Sequence, residues 1–291
     1  LAAAARELGW SRPEVVEEPV LAITGGRHPL AEAVLSLGWA DGAAGAGPAR
    51  SPFIPNDTRM GVADPGAPPS SSSPPLSPRV HAITGPNGSG KTVYARQVGL
   101  IIHLAHMGSF VPAASAVIGL ADRLCVVCGG GGGASEASSS ASTAAVLLGG
   151  PLASHHGAFA ADLARLAGVL ASAGPASVVI ADEVGAGTLA ADGAGLVCAT
   201  LAALGRAGGG GPRTLATTHY SEVLDGRYLA AARDGVACWT LSALAPRQGE
   251  GVAAQPLFLR RLVATGGGGG GGGLPAFGLA CAAAAGLSAV V

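Results

Sequence analysis

The chain has 291 residues and a formal net charge of −1, with 17 Lys and Arg against 18 Asp and Glu. Its apolar content is ample for the core of one large domain or two small ones. Without a basic excess, this stretch does not have the electrostatic character of a nucleic-acid-binding surface. Charged residues make up only 12%, which is low for a soluble surface, so we expect partner chains or further domains to cover part of it.

The cysteines indicate a reducing compartment, because they are odd in number and scattered. They are Cys125, Cys128, Cys198, Cys238 and Cys281. The first two form a C-x-x-C, but no second Cys or His pair lies at zinc-ligand spacing, so we interpret residues 123–128 as a buried strand. We find no signal peptide and no uninterrupted apolar run of membrane-spanning length, which predicts a protein that is neither secreted nor membrane-bound. The first residue, Leu1, indicates a piece of a longer chain.

Strands and helices alternate along the chain, with low-complexity stretches between them. The pattern predicts strands at 19–23, 80–84, 177–181 and 213–218, and helices at 92–107, 159–172 and 194–204. The low-complexity stretches are 41–48, 63–78, 129–142 and 266–273. This alternation predicts an α/β fold with a mainly parallel sheet covered by helices on both faces.

A complete phosphate-binding loop, G-x-x-x-x-G-K-[ST], joins the predicted strand 80–84 to the helix that follows. Its residues are Gly85, Pro86, Asn87, Gly88, Ser89, Gly90, Lys91 and Thr92. Glycines let backbone N–H groups turn toward a triphosphate, Lys91 reaches the β- and γ-phosphates, and the Thr92 hydroxyl can ligate Mg²⁺. A glycine-rich turn without nucleotide is the alternative, but a strand before the loop and a helix after it favour a phosphate site.

Two carboxylates follow the apolar strand 177–181, where ligands of α/β proteins bind. We expect Asp182 to hold Mg²⁺ through a water, and Glu183 to orient and deprotonate the attacking water. Surface acids that merely cap a strand are the alternative. One strand later, His219 could sense the γ-phosphate or polarise the water, although a lone His is usually structural.

Four further histidines are interpreted as structural. His103 and His106 share a helix face without an acidic third ligand nearby, so we expect them on the surface or partly buried. His155 and His156 are interpreted as loop residues beside a low-complexity tract.

Several motifs together resemble the ATPase domain of the MutS family, in the family's order and over nearly the whole chain outside the low-complexity tracts. They lie at residues 26–30, 53–57, 85–101, 107–113, 182–188, 192–193, 218–220, 277–281 and 285–287. Within them, residues 96–101 look most like the meiotic branch, the fifth eukaryotic MutS homologue.

This resemblance implies a P-loop NTPase of the ABC type that uses ATP and Mg²⁺ and pairs with another MutS-family subunit. It implies that Phe53, Ile54 and Asn56 contact adenine. It also implies that residues 1–18 end a preceding core or lever region, and that 19–291 form the ATPase domain. In the family, domains upstream contact DNA, and the ATP state is coupled to DNA clamping in mismatch repair or meiotic recombination. The expected location is the nucleus for the meiotic branch, and otherwise the cytoplasm or nucleoid.

Two alternatives stay open. An ABC-type ATPase of another class would carry a Leu-Ser-Gly-Gly-type signature before the strand 177–181, and none is seen. A non-hydrolysing half of a heterodimer is favoured by Gly157-Ala158-Phe159, which replaces the family's Ser or Thr before Phe in the helix that reaches the partner's γ-phosphate. Asp162 remains the match to that motif's acid. The intact Lys91, Asp182 and Glu183 argue for hydrolysis.

Overall fold

The computed structural model describes residues 2–36, 53–63, 76–129, 158–205, 210–224, 229, 235–244 and 257–265. The strands are β1 (Glu14–Val16), β2 (Leu21–Gly26), β3 (Asn56–Met60), β4 (Val80–Thr84), β5 (Ser115–Gly119), β6 (Leu124–Cys128), β7 (Val178–Asp182), β8 (Arg213–Thr217), β9 (Val236–Leu244) and β10 (Leu257–Ala264). The helices are α1 (Ala2–Glu7), α2 (Pro29–Ser36), α3 (Lys91–His106), α4 (Ala158–Ser172) and α5 (Ala190–Gly205), with a short 3₁₀ helix at Ser221–Leu224. The predicted low-complexity stretches 41–48 and 266–273, and the interior of the other two, lie outside the described residues.

The larger sheet has six strands in the order β10-β9-β4-β8-β7-β6. Five of these run parallel, and β10 alone is antiparallel to its neighbour β9. The prediction of a mainly parallel sheet is therefore confirmed. β4, β7 and β8 are buried along their whole length, as expected for strands covered on both faces.

A second sheet, in the order β1-β5-β2-β3, was not predicted beyond the single strand at 19–23. β2 is antiparallel to both β3 and β5. The sequence of β3 explains the omission, because Asn-Asp-Thr-Arg-Met reads as polar while alternate residues are buried by their neighbours.

Helix α3 lies between the two sheets, because its apolar side chains face both. It contacts β7 and β8 of the larger sheet and β2 of the smaller one. One core cluster contains Val98 and Ile102 of α3. On one side these residues meet Ile83 and Leu215 of the larger sheet, and on the other Ile23 of the smaller sheet. A separate cluster on the opposite face of the larger sheet packs α4 and α5 against the alternate residues of the same strands. Helices therefore cover both faces of the larger sheet.

Strand β6 corrects one expectation. Residues 123–128 were predicted to form a buried strand, but β6 is the outermost of the described strands on its side of the larger sheet, and Val126 is 54% exposed. Cys128 is also exposed, while Val127 is buried. The apolar composition showed the strand but not its place, because strand order depends on long-range pairing.

The boundaries of all three predicted helices differ from prediction, that of α4 by one residue at its start. α5 begins at Ala190, four residues before the predicted start at 194, and α3 is displaced by one residue. The longest described helices, α3 and α5, have 16 residues each, and none of the described helices combines the length and apolar composition that a bilayer crossing requires.

Arg213, at the start of β8, ties the two sheets together. Its guanidinium is fully buried and donates to four carbonyl oxygens. Nη1 reaches the carbonyls of Val20 (2.9 Å) and Gly119 (2.8 Å) at the ends of the smaller sheet's strands. Nη2 reaches those of Leu120 (3.0 Å) and Ala176 (2.9 Å). Burial lowers the pKa of Arg213 to about 10, which leaves the side chain charged at neutral pH.

We predict that Arg213→Met lowers the free energy of unfolding by about 3 kcal/mol or more, because buried carbonyls lose charge-assisted hydrogen bonds. Urea denaturation followed by circular dichroism measures this change. Arg123→Met is the control, since Arg123 is 46% exposed and its ion pair with Asp122, which is 48% exposed, is a surface pair at 3.6 Å. That variant should change stability by about 0.5 kcal/mol or less. Equal effects of the two substitutions would contradict the role of Arg213.

Candidate functional site

The phosphate-binding loop connects β4 to α3 and is shaped by its glycines. Gly88 and Gly90 have φ values of 79° and 103°, which residues with a Cβ rarely adopt. Lys91 is 4% exposed, and its Nζ donates to the carbonyls of Gly85 (2.7 Å) and Pro86 (3.2 Å). Desolvation lowers the pKa of Lys91, while the nearby carboxylates of Glu183 and Asp182 oppose that shift. The Lys91 side chain therefore lies against the loop, and the negative charges of Glu183 and Asp182 act on its ammonium group.

The N-terminus of α3 is open for an anion. Gly90 occupies the position before the helix, and no side chain caps the first-turn N–H groups. Such uncapped groups carry partial positive charge and bind phosphate in many proteins. The hydroxyl of Ser89, fully buried in the loop, has no hydrogen-bond partner among the described residues. These groups suit a phosphate-bearing ligand.

Asp182 ends β7 and meets two hydroxyl groups. Thr92 Oγ1 donates to Asp182 Oδ1 at 3.1 Å, and Thr217 Oγ1 donates to the same oxygen at 2.6 Å. Asp182 is 6% exposed, so these hydrogen bonds compensate for its burial. The parallel register of β7 and β8 places Asp182 beside Thr217. The structure therefore brings together the two residues predicted to hold Mg²⁺.

Glu183 follows in the left-handed region with φ 55°, which is uncommon for a residue with a side chain. Its N–H donates to both the carbonyl oxygen and Oγ1 of Thr217, each at 3.1 Å. Its Oε1 lies 3.6 Å from Nδ1 of His219, which is too long for a hydrogen bond. Both side chains are about one-third exposed, so each is accessible to water and ligand.

A cavity of about 250 Å³ adjoins the loop. Its lining includes Phe53, Ile54 and Asn56 together with Gly88 and Val93. The residues predicted to contact adenine therefore lie beside the phosphate-binding loop, although they are about 30 residues away in sequence.

The Asn56 side chain holds the wall of this cavity. Its Nδ2 donates to the carbonyl of Arg260 at 2.9 Å, and its Oδ1 accepts from the N–H of Leu262 at 2.8 Å. These bonds attach β3 to β10 in the way that a strand backbone would. Much of the amide's hydrogen-bonding capacity is thus used within the protein.

Two residues of the site were not predicted. Gln97 lines the same cavity, is 1% exposed, and its Nε2 has no hydrogen-bond partner among the described residues. Gln97 lies one helical turn after Val93 on α3, and this spacing indicates that both side chains lie on the same face of the helix. Thr217 could have been found from its place two residues before His219, since parallel strand ends lie side by side.

Two of the four histidines interpreted as structural lie in the described part of the chain. His103 and His106 are exposed on α3, and His106 bonds to the carbonyl of Ile102 and the N–H of Ala121. No group of three or more His, Cys, Asp or Glu side chains suited to a metal occurs in the described part of the chain. His155 and His156 lie outside that part.

Asp162 lies in the first turns of α4 and pairs with Arg165 (2.7 Å). Its Oδ2 is buried and has no partner within the described residues. Gly157, in the motif that departs from the family pattern, lies outside those residues.

The donors near the loop fit Mg²⁺, which prefers oxygen ligands and retains several waters. The Thr92 hydroxyl and the Asp182 carboxylate lie within hydrogen-bond distance of each other beside the open end of α3. A mainly parallel sheet, a phosphate-binding loop and acids at the neighbouring strand end together define a P-loop ATPase domain.

The family is shown by direct comparison. The model of MutS domain V matches residues 81–146 and 144–249, more than half of the chain. The chain belongs to the MutS family.

Its relatives include bacterial proteins named DNA mismatch repair protein MutS. The protein of Nitratidesulfovibrio vulgaris (strain DP4) is 36% identical over 229 residues, covering 78% of this chain and 20% of the relative. That of Anaeromyxobacter dehalogenans is 35% identical over all 291 residues, covering 27% of the relative. The protein of Thermosynechococcus vestitus is 34% identical over 227 residues, covering 77% of this chain and 20% of the relative. The chain thus spans about a quarter or less of these relatives.

We predict that Lys91→Ala weakens ATP binding about tenfold or more, because a charge-assisted contact with phosphate is lost. The fold should persist, since within the described residues Nζ donates to carbonyls of its own loop and to no other element. Calorimetric titration measures the affinity. Arg96→Ala, an exposed change on the same helix, should leave the affinity unchanged. Wild-type affinity in folded Lys91→Ala would refute the assignment of this lysine.

Proposed function

We propose that this chain binds Mg²⁺-ATP in the cleft between the phosphate-binding loop and the ends of β7 and β8, and hydrolyses it. The observation that carries this proposal is the convergence of Lys91, Thr92, Asp182 and Glu183 from two separate strand–loop units. A strand merely capped by surface acids would not bring Asp182 into hydrogen-bond contact with Thr92.

The loop and the start of α3 receive the phosphates. Backbone N–H groups from Gly88 to Thr92 and the Lys91 ammonium would bind the β- and γ-phosphates. Lys91 then exchanges its bonds to the loop carbonyls for phosphate oxygens, which compensates for its burial. Thr92 and Asp182 would hold Mg²⁺, which when bound neutralises developing charge on the phosphate oxygens.

Glu183 is the proposed general base. Its carboxylate accepts a proton from water as the water oxygen bonds to the γ-phosphorus, and the bond from that phosphorus to the bridging oxygen breaks to release ADP and phosphate. His219, 3.6 Å from Glu183, is placed to orient the water or contact the γ-phosphate. The partly exposed position of both side chains supports these roles.

The 250 Å³ cavity is the proposed site for the adenine ring. Phe53 and Ile54 supply apolar surface for a flat ring, and the buried amide of Gln97 supplies a donor that has no partner among the described residues. Asn56 fixes the cavity wall to β10 through its two hydrogen bonds. Its amide contacts the base through the hydrogen-bonding capacity that remains after those two bonds.

In the whole protein, we propose that this domain couples its ATP state to a DNA clamp in mismatch repair, as part of a dimer of MutS-family subunits. Support comes from the names of the bacterial relatives and from the small share of their length that this chain covers. Residues 19–291 would form the ATPase domain after a preceding core or lever region. With those relatives, a bacterial cytoplasmic setting is favoured, and the meiotic branch and a nuclear location rest on residues 96–101 alone.

We predict that Glu183→Gln keeps ATP binding but slows hydrolysis by about 10²-fold or more, because the amide cannot accept the proton. Single-turnover hydrolysis measures the chemical step. Glu222→Gln, an exposed change on the 3₁₀ helix, is the control and should hydrolyse at the wild-type rate. Wild-type speed in Glu183→Gln would instead indicate a different base, and absence of hydrolysis in the wild type would favour the non-hydrolysing alternative.

We predict weak DNA binding by this chain alone, without preference for a mismatch, because its net charge of −1 gives little attraction to phosphates. Fluorescence anisotropy with matched and mismatched duplexes measures this. Hydrolysis should be slow and rise with protein concentration, since a site shared between subunits needs a second copy. Tight, mismatch-selective binding by the monomer, or full ATPase rate at every concentration, would contradict this division of labour.

A further inference from the structure

Thr217 joins the two acids of the site through a single hydroxyl group. It is the last residue of β8 and is 1% exposed. Its Oγ1 donates to Asp182 Oδ1 at 2.6 Å and accepts the N–H of Glu183 at 3.1 Å. Neither the phosphate-binding loop nor the acidic motif includes this residue.

The bond to Asp182 matters because Thr92 uses the same carboxylate oxygen. Both hydroxyls donate to Oδ1. In the proposed function Thr92 turns to Mg²⁺, which removes one of these two donors. Thr217 then remains to fix the carboxylate of a residue that is only 6% exposed. Charge-assisted hydrogen bonds of this kind are short and strong, so the carboxylate is held in one orientation.

The bond to Glu183 matters because that residue has a left-handed backbone. A φ of 55° at a residue with a side chain persists only where surrounding contacts hold it. The Glu183 N–H is shared between the carbonyl and the hydroxyl of Thr217. If the hydroxyl is lost, the Glu183 N–H keeps only one of these two acceptors, the carbonyl oxygen of Thr217.

We infer that Thr217 is a positioning residue that aligns Asp182 for the metal and Glu183 for the attacking water at the same time. This inference rests on the proposed function. It predicts a loss in metal-dependent binding and in turnover, and no loss in the metal-independent part of nucleotide binding.

Thr214 provides a matched control on the same strand. It is also fully buried, and its Oγ1 donates to the carbonyl of Pro212 at 3.3 Å, away from both acids. Thr214→Val therefore removes a buried threonine hydroxyl from β8 without touching the site. Thr217→Ser is the conservative partner, because it keeps the hydroxyl.

The experiment measures the affinity of the chain for ATPγS by calorimetry, with Mg²⁺ and with EDTA, and then the Mg²⁺ concentration for half-maximal binding. We expect Thr217→Val to raise that concentration about tenfold, in keeping with the loss of a hydrogen bond to a charged group. Affinity in EDTA should stay within about twofold, and kcat for ATP should fall about tenfold with a smaller change in KM. Thr217→Ser and Thr214→Val should match the wild type within about twofold.

A purely structural role predicts other results and would overturn the inference. These are an equal loss of affinity with and without Mg²⁺, an equal effect of Thr214→Val, or no rescue by serine. Circular dichroism checks folding, and Thr217→Ala replaces the valine variant if that one does not fold. If the wild type itself binds no nucleotide, the proposed function fails; if it binds and Thr217→Val behaves like it, only the role of Thr217 fails.

Discussion

The parallel register of three buried strands is the constraint on which this molecule depends. β4 and β7 both pair with β8, so that Ile83 and Asp182 lie level with Thr217. The carboxyl ends of all three strands therefore meet at one edge of the sheet, where the loops that follow them face a common space. A phosphate-binding loop, two acids and a histidine come from distant parts of the chain, yet the backbone pairing alone places them together.

The register is useful only if the strands are held from both sides. α3 packs on one face and α4 with α5 on the other, and each face of β4, β7 and β8 contributes to a separate apolar cluster. Arg213 anchors the opposite end of β8 to the smaller sheet through bonds that a neutral side chain could not reproduce. The same strand thus carries a structural cation at its start and Thr217 at its end.

The smaller sheet gives the site its second wall. β3 carries Asn56, whose amide attaches it to β10 of the larger sheet, and the segment before β3 carries Phe53 and Ile54. The cavity exists because two sheets that flank α3 also meet at this point. In the proposed function, recognition of the base and of the phosphates is therefore divided between the two sheets, and Gly88 and Gln97 line the cavity between them.

The local chemistry could be predicted from short segments of the sequence. The loop 85–92, the acids after an apolar strand, the parallel α/β fold and the family all follow from patterns in short segments, because each depends on a few neighbouring residues. The long-range contacts were needed to learn that β6 lies outermost among the described strands, that a second sheet exists, and that Thr217 contacts both acids. These features depend on which distant segments pair and in what register, and the free energy of that pairing comes from the packing of the whole core rather than from any single stretch of sequence.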